Sequence, residues 1–401
     1  MTMMNKRLAA LSVLVAILIA LLSGCHGGMR SETVIIPGAE EEHAADPASK
    51  PFQVKTIYRL PVSDTDNAQL LGWTNSDSVV GLFQAPGSAT RLTQNLQRSS
   101  PPYENLEVLQ NVDAYLKYIV MSPNGKYITG IKITDDSHVL KSISLSDGVE
   151  QIIETINPRQ TQVFSGPFWS DNSRYISYLL MDAATYNGRI QTDLDIPAGS
   201  AIKLAVYDTT TGQISSYPLS GLEITGWITR VKMSDDGQSV LFAAEQNKRT
   251  ASLGLGRIHG SGIDIEYGHE EVGEQMAWLN QDQFVFLGID GTLYEYDRRN
   301  KALSILLEKV ISFQLSPDRK YIAYSKKDND SVSIFAGKLQ GNNILYNESV
   351  YQGFVPTEMF WSLNNDSLMI NGKKIYSTEK ELTNTEPGPA LYNQPLIIKF
   401  Q

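Results

Sequence analysis

One ten-residue pattern recurs along the chain and limits what it can fold into. Its fullest form is Leu315-Ser316-Pro317-Asp318-Arg319-Lys320-Tyr321-Ile322-Ala323-Tyr324. An apolar residue precedes a polar turn, and an alternating apolar strand follows it. Proline at the second turn position already has the φ a type I turn requires, and Asp or Asn can bond its own backbone two residues on. Glycine, where present, supplies a positive φ at low cost. The same register returns as Met121-Ser122-Pro123-Asn124-Gly125-Lys126-Tyr127-Ile128, Trp169-Ser170-Asp171-Asn172-Ser173-Arg174-Tyr175-Ile176 and Met233-Ser234-Asp235-Asp236-Gly237-Gln238-Ser239-Val240. Weaker copies begin at Trp73, Trp278 and Trp361, where the turn stays polar but Pro and Gly are lost.

The apolar anchors are therefore Trp73, Met121, Trp169, Met233, Trp278, Leu315 and Trp361, with steps of 37 to 64 residues. Four of the five tryptophans fall on this one register, which marks equivalent positions on an inner strand packed against a neighbouring unit. Leu204-Ala205-Val206-Tyr207-Asp208 and Leu293-Tyr294-Glu295-Tyr296-Asp297 read as third strands running into turns. A hairpin, a third strand and a fourth before the next anchor make a four-stranded antiparallel sheet, and a step near 46 residues is that of propeller blades. The expected fold is all-β: a seven-bladed β-propeller of four-stranded antiparallel blades, or six or eight blades if a weak copy is counted differently.

The Ser-Pro-Asp-Gly-Lys-x-Ile-Ala pattern, nearly intact at 122–128 and 316–323, resembles the repeat of TolB-type propellers, which also occurs in the propeller domains of dipeptidyl-peptidase-like hydrolases. The resemblance extends over residues 52 to 400 and implies a propeller with a protein partner more than a small-molecule one. It implies no catalytic residues, because the expected propeller occupies the chain to residue 401 and leaves no α/β segment onto which those of the hydrolases could map. The motif makes a turn rather than a site, so its message about function is weak.

Residues 1–24 read as a lipoprotein signal peptide. Lys6 and Arg7 precede an apolar run from Leu8 to Leu22 broken only by Ser12, which is short for a membrane span of about 20 residues. Leu22, Ser23 and Gly24 lead into Cys25 and resemble a bacterial lipobox, which implies diacylglyceryl attachment at Cys25. Cys25 is the only cysteine, so the exported chain would have no disulfide to form and no other thiol to misreact. Residues 25–51, with Glu40-Glu41-Glu42 and no apolar pattern beyond Val34-Ile35-Ile36, read as the lipidated Cys and a flexible acidic tether. Residues 52–401 are the propeller. The strand-like Phe52–Leu60 is expected to form the outer strand of the last blade, with Leu396–Phe400 competing for that place.

Two features are candidates for binding. The step from Trp169 to Met233 is 64 residues; its excess at 181–200 forms a long loop containing Tyr186 and Arg189, a candidate contact surface. Trp227 stands off the anchor register at the start of an inner strand, near the expected channel mouth. The five histidines, His26, His43, His138, His259 and His269, show no metal-ligand spacing. Gly254, Gly256, Gly260 and Gly262 lack the third glycine of a dinucleotide fingerprint and the Lys-Ser/Thr of a Walker loop, and read as a permissive loop between strands. His259-Gly260-Ser261-Gly262-Ile263 is not a nucleophile elbow. Asp193-Leu194-Asp195 and Asp328-Asn329-Asp330 lack the rest of a calcium loop. No catalytic residue, metal or cofactor is expected.

The formal charge is −10, and −12 once Lys6 and Arg7 leave with the signal. No basic cluster stands out in the sequence, so nucleic acid is not an expected partner. The reading is a lipid-anchored extracytoplasmic propeller on the outer face of a membrane, or in the periplasm or outer membrane of a Gram-negative cell. There it binds or scaffolds an envelope protein, peptide or glycan. The alternative is a propeller-type lyase or hydrolase acting on envelope or extracellular polymers.

Overall fold

Each Ser-Pro-Asp-type stretch folds as the hairpin between the first and second strands of a sheet, and its serine is the reason. In the computed structural model, which describes residues 34–35, 51–62, 69–83, 93–113, 115–183, 202–219, 227–247, 250–328, 331–374 and 395–401, Ser122, Ser170, Ser234, Ser316 and Ser362 are all buried. Ser316 Oγ donates to Asp318 Oδ1 at 2.7 Å and accepts the Tyr321 N–H at 2.9 Å. The same pair of bonds recurs from Ser122 to Asn124 and Tyr127, and from Ser170 to Asn172 and Tyr175. The fourth turn residue takes a positive φ whatever its type: Gly125 at 71°, Ser173 at 61°, Gly237 at 72°, Arg319 at 59° and Asn365 at 62°. Ser316→Ala is expected to cost about 1–3 kcal/mol, because it strands the buried Tyr321 N–H side of the turn. Urea unfolding of the variant, with exposed Ser146→Ala as control, measures it.

After β1 (Val34–Ile35) and β2 (Val54–Arg59), three four-stranded antiparallel sheets follow in chain order. They are β3 (Gln69–Trp73), β4 (Val79–Phe83), β5 (Thr93–Ser99) and β6 (Glu107–Asp113); β7 (Leu116–Met121), β8 (Tyr127–Ile133), β9 (His138–Ser144) and β10 (Glu150–Ile156); and β11 (Thr161–Trp169), β12 (Tyr175–Asp182), β13 (Ile202–Asp208) and β14 (Gln213–Pro218). An eight-stranded sheet comes next. It contains β15 (Trp227–Met233), β16 (Ser239–Asn247), β17 (Thr250–His259), β18 (Gly262–Trp278), β19 (Gln283–Gly288), β20 (Leu293–Asp297), β21 (Ala302–Leu307) and, at its edge, β1. Two further four-stranded sheets hold β22 (Val310–Leu315), β23 (Tyr321–Asp328), β24 (Ser331–Gln340) and β25 (Asn343–Gln352), then β26 (Phe354–Trp361), β27 (Ser367–Lys374), β28 (Leu396–Phe400) and β2. All seven anchors close the first strand of a four-strand run, and both expected third strands, β13 and β20, are third strands.

The last sheet settles the competition between the chain ends, because both belong to it. β28 pairs with β27, and β2 adds outside β28 with Ile57 opposite Ile398. The eight-stranded sheet exists because β18 serves twice. Its first part pairs with β17 as far as Val272, which also faces Gly288 of β19, and after a register shift Met276 to Trp278 continue the pairing with β19. Two expectations are corrected here. Gly254 and Gly256 lie inside β17 rather than in a loop, and a Cβ on Gly256 would come within 2.5 Å of Ile263 Cγ2, so close packing explains that glycine. Within the stretch read as a tether, Val34 and Ile35 pair in parallel with Leu303 and Ser304 of β21.

The core lies in layers between consecutive sheets, and the last layer joins the ends of the series. Met369 and Ile397 of the last sheet pack with Trp73, Val79 and Phe83 of the first. Among the described residues no helix is long and apolar enough to cross a membrane.

Candidate functional site: the central channel

The strand ends carrying the anchors surround one space. A chamber of about 380 Å³ is lined from β3, β7, β11, β15, β18, β22 and β26, and a second of about 220 Å³ continues it toward the hairpin turns. Alternation along a strand sends every second side chain to the same face. The residue one before each anchor therefore lines the channel, as do Leu70, Arg230, Gln275 and Glu358, each three before its anchor. Every one of these seven strands also has a register shift within its pairing to the next strand. Such bulges re-aim side chains and gather beside binding sites.

One level of the channel carries Arg230, Gln275 and Glu358, each three residues before its anchor. Gln275 is committed to structure, since its Oε1 accepts the Phe313 N–H at 2.9 Å, and Gln69 likewise donates to the Ile119 carbonyl at 2.9 Å. Arg230 makes a single 3.4 Å contact with Glu274, both half-exposed, a pair worth little in stability. Glu358 faces the channel space, yet protein surrounds it closely enough that burial raises its carboxyl above the ordinary range; a 3.3 Å bond from the Asn371 amide pulls it partly back. Phe168, Phe313 and Phe360 supply the apolar wall.

At the turn end an ion cluster crosses the channel. Arg319 Nη2 meets Asp235 at 2.6 Å and Asp171 at 3.3 Å, and Lys232 Nζ meets Asp171 at 2.6 Å. The Asn172 backbone N–H donates to Asp235 Oδ1 at 3.0 Å, locking two turns together. Arg319 holds the left-handed conformation that glycine takes in the parallel turns, a backbone arrangement costing on the order of 1–3 kcal/mol in a non-glycine residue. What it gains is a side chain directed across the channel to two other sheets.

Of the residues singled out in the sequence, Trp227 opens β15, an inner strand, as expected. Tyr186, Arg189, Asp193 and Asp195, and Leu22, Ser23, Gly24 and Cys25, lie outside the described residues. His138 is buried in β9, where burial lowers its pKa. His269 sits against Tyr267 of its own strand and against Phe286 of β19 and Tyr294 of β20. Among the described residues no three His, Cys, Asp or Glu side chains are placed to hold a metal ion.

The channel charges were missed in the sequence, although a signal for three of them was present. Asp171 and Asp235 occupy the proline position of the repeat, and Arg319 occupies the glycine position. These three departures from the turn pattern are members of the ion cluster, whereas Ser173, Leu363 and Asn365 depart from it without joining the cluster. Basic residues do gather in one place the sequence reading passed over. A groove of about 680 Å³ on the turn side, between β15–β18 and β18–β21, contains Arg257, Arg298, Arg299 and Lys301 together with Asp236, Glu266 and Asp282. Arg298 bonds Glu266 and Ser239, and Arg299 pairs with Asp297.

No family model matches the sequence, and no curated protein matches it. Solved structures do match. An oligogalacturonate lyase in complex with manganese superposes with a TM-score of 0.57 at 10% identity, covering 88% of this chain and 97% of that one. The oligogalacturonate lyase of Vibrio parahaemolyticus gives 0.55 at 10% identity, covering 87% and 98%. The acylaminoacyl peptidase of Pyrococcus horikoshii gives 0.53 at 10% identity, covering 79% of this chain and 52% of that one. At such identity the likeness is one of fold, and together with the four-stranded antiparallel sheets it makes this chain a β-propeller.

Proposed function

We propose that the chain is a seven-bladed propeller whose central channel binds an extended polar ligand, a segment of an envelope protein, a peptide or a glycan. In this reading a lipid on Cys25 confines the binding to the outer surface of a membrane. The seven-blade count rests on β18, which acts as outer strand of one blade and inner strand of the next, so the eight-stranded sheet counts as two blades with β1 added. The observation that carries the binding role is the convergence of all seven inner strands on one channel. There a charged and aromatic level lies above an ion cluster that crosses the turn end.

A photoreactive residue at position 230 of the full-length chain, irradiated in its own membranes, tests this. A specific protein or glycan adduct, lost when the channel is filled by Ala277→Trp in a variant of unchanged circular dichroism, supports the reading. Equal labelling at exposed position 104 and at 230 overturns it.

A propeller-type enzyme acting on extracellular or envelope polymers is the second reading. It is favoured by Glu358, a channel carboxyl whose raised pKa suits proton transfer, and by the neighbours being named as lyases and a peptidase. Release of unsaturated or newly reducing ends from oligogalacturonate, abolished by Glu358→Gln, would establish it.

A further inference from the structure

The channel binds its ligand, on the reading above, through groups whose chemistry can be read further. Glu358 is the feature left uncompensated. The four other charged groups lining the two chambers each have a counter-ion: Arg230 has Glu274, Lys232 and Arg319 share Asp171, and Arg319 also holds Asp235. Among the described residues Glu358 makes no ion pair, and its hydrogen bond is the 3.3 Å contact from Asn371 Nδ2. Behind it the other half of that amide, Asn371 Oδ1, is buried and has no partner. This wall is therefore rich in acceptors and short of donors.

Its setting favours a cation of a particular kind. Phe360, two residues on along β26, and Phe313 of the adjacent inner strand line the same chamber. An aromatic face beside a carboxylate suits an ammonium carried on an alkyl stem, because the charge pairs with the carboxylate while the stem covers the ring. A compact ammonium has three rotatable donors and no acceptor, the complement of such a wall. The overall charge of −10 adds a field that raises the concentration of cations near the channel. The basic groove between β15–β18 and β18–β21 is a weaker site, because Arg298 and Arg299 are already paired within the chain.

We infer that the channel ligand presents a primary ammonium, a lysine side chain or the amino terminus of a peptide, which docks on Glu358 against Phe360. The ligand is then a peptide segment rather than a neutral or acidic glycan. Arg230, at the same level on another inner strand, is held by one exposed contact and is free to exchange it for a peptide carboxylate.

Titration calorimetry of the full-length chain in detergent at about 0.15 M salt, with trilysine and its fully acetylated counterpart as probes, tests the inference. Trilysine is expected to bind at least about tenfold tighter than the acetylated peptide, and Glu358→Gln to remove that difference. Exposed Glu104→Gln serves as the control for the loss of one negative charge and is expected to change nothing. Equal binding of the two peptides to the wild-type chain overturns the inference without any variant, so a failure of Glu358→Gln to fold does not protect it. Failure to bind trilysine, with adducts still forming from position 230, sinks the ammonium and leaves the channel as the binding site. Absence of both sinks the two together.

Discussion

Trp73→Ala is expected to lower the unfolding free energy by about 3–5 kcal/mol, the usual cost of emptying a buried tryptophan site. Trp73 is 2% exposed and packs where the first sheet meets the last. Its indole N–H donates to the Phe360 carbonyl at 2.9 Å, across 287 residues of sequence. The bond follows a rule of this fold. Trp278 donates to the Lys232 carbonyl at 3.0 Å and Trp361 to the Gln314 carbonyl at 3.1 Å. In each case the acceptor is the residue just before the anchor of the adjoining first strand, Trp361, Met233 or Leu315. Trp169 breaks the rule, since its buried Nε1 has no partner among the described residues.

That difference makes the test discriminating. Phenylalanine at 73, 278 or 361 loses ring volume and strands a carbonyl, whereas Trp169→Phe loses ring volume but removes an orphaned donor. The cost at Trp169 should be smaller by about 1 kcal/mol. Urea unfolding followed by circular dichroism gives all four values. A Trp73→Ala loss no greater than that of an exposed residue such as Tyr118→Ala would mean that the junction of first and last sheets does not hold the fold together.

Glu295 is expected to make the protein less stable as pH rises toward neutrality. It is 3% exposed on β20, and its carboxyl is pushed up to about 7 by burial and then by the charge of Asp297, with Arg299 opposing. Gln283 Nε2 donates to one oxygen at 2.8 Å, and the other, Oε2, is buried without a partner among the described residues. A carboxyl raised in the folded state favours folding while it is protonated. Its contribution is complete below the unfolded value near 4.5 and is lost as pH rises through about 7. The span corresponds to on the order of 3 kcal/mol.

Other groups act in different windows or directions. Asp208 and Asp297 are held low by Arg174 and Arg299, so their contribution is present above the ordinary aspartate range and fades in acid. His138, lowered by burial, contributes above its unfolded value and loses that contribution as pH falls. Glu358, whose carboxyl burial also raises, acts in the same direction as Glu295. Glu295→Gln isolates its own share, and the variant should show a flatter pH dependence between 5 and 8, with a gain of about 1–3 kcal/mol at pH 8. Superimposable wild-type and variant curves from urea titrations across that range would falsify this account of the buried carboxyl.

The turns, the anchors and the third strands were all legible because their causes are local. A serine, a carbonyl-bearing side chain two residues on and an apolar flank are enough to write a hairpin, and repetition of that wording sets the number of sheets expected. Trp278 and Leu315 could be placed in register without knowing what lay opposite them. The twin role of β18 was not legible. No pattern in Gly262–Trp278 distinguishes one long strand from two short ones, and Gly254 and Gly256 looked like a loop because what they pack against comes from β16 and β18.

The site was legible only in its exceptions to the repeat, Asp171, Asp235 and Arg319, whose meaning depends on each other. Arg319 is 148 residues from Asp171 and 84 from Asp235. By itself, then, the sequence determined the repeating unit, because turn chemistry and strand alternation act within a few neighbouring residues. Only the tertiary structure decided which residues face the channel, how their charges pair, and that Glu358 is left without a counter-ion among the described residues. Those properties arise from strands brought together around a common space, where distance in sequence no longer measures distance in the molecule.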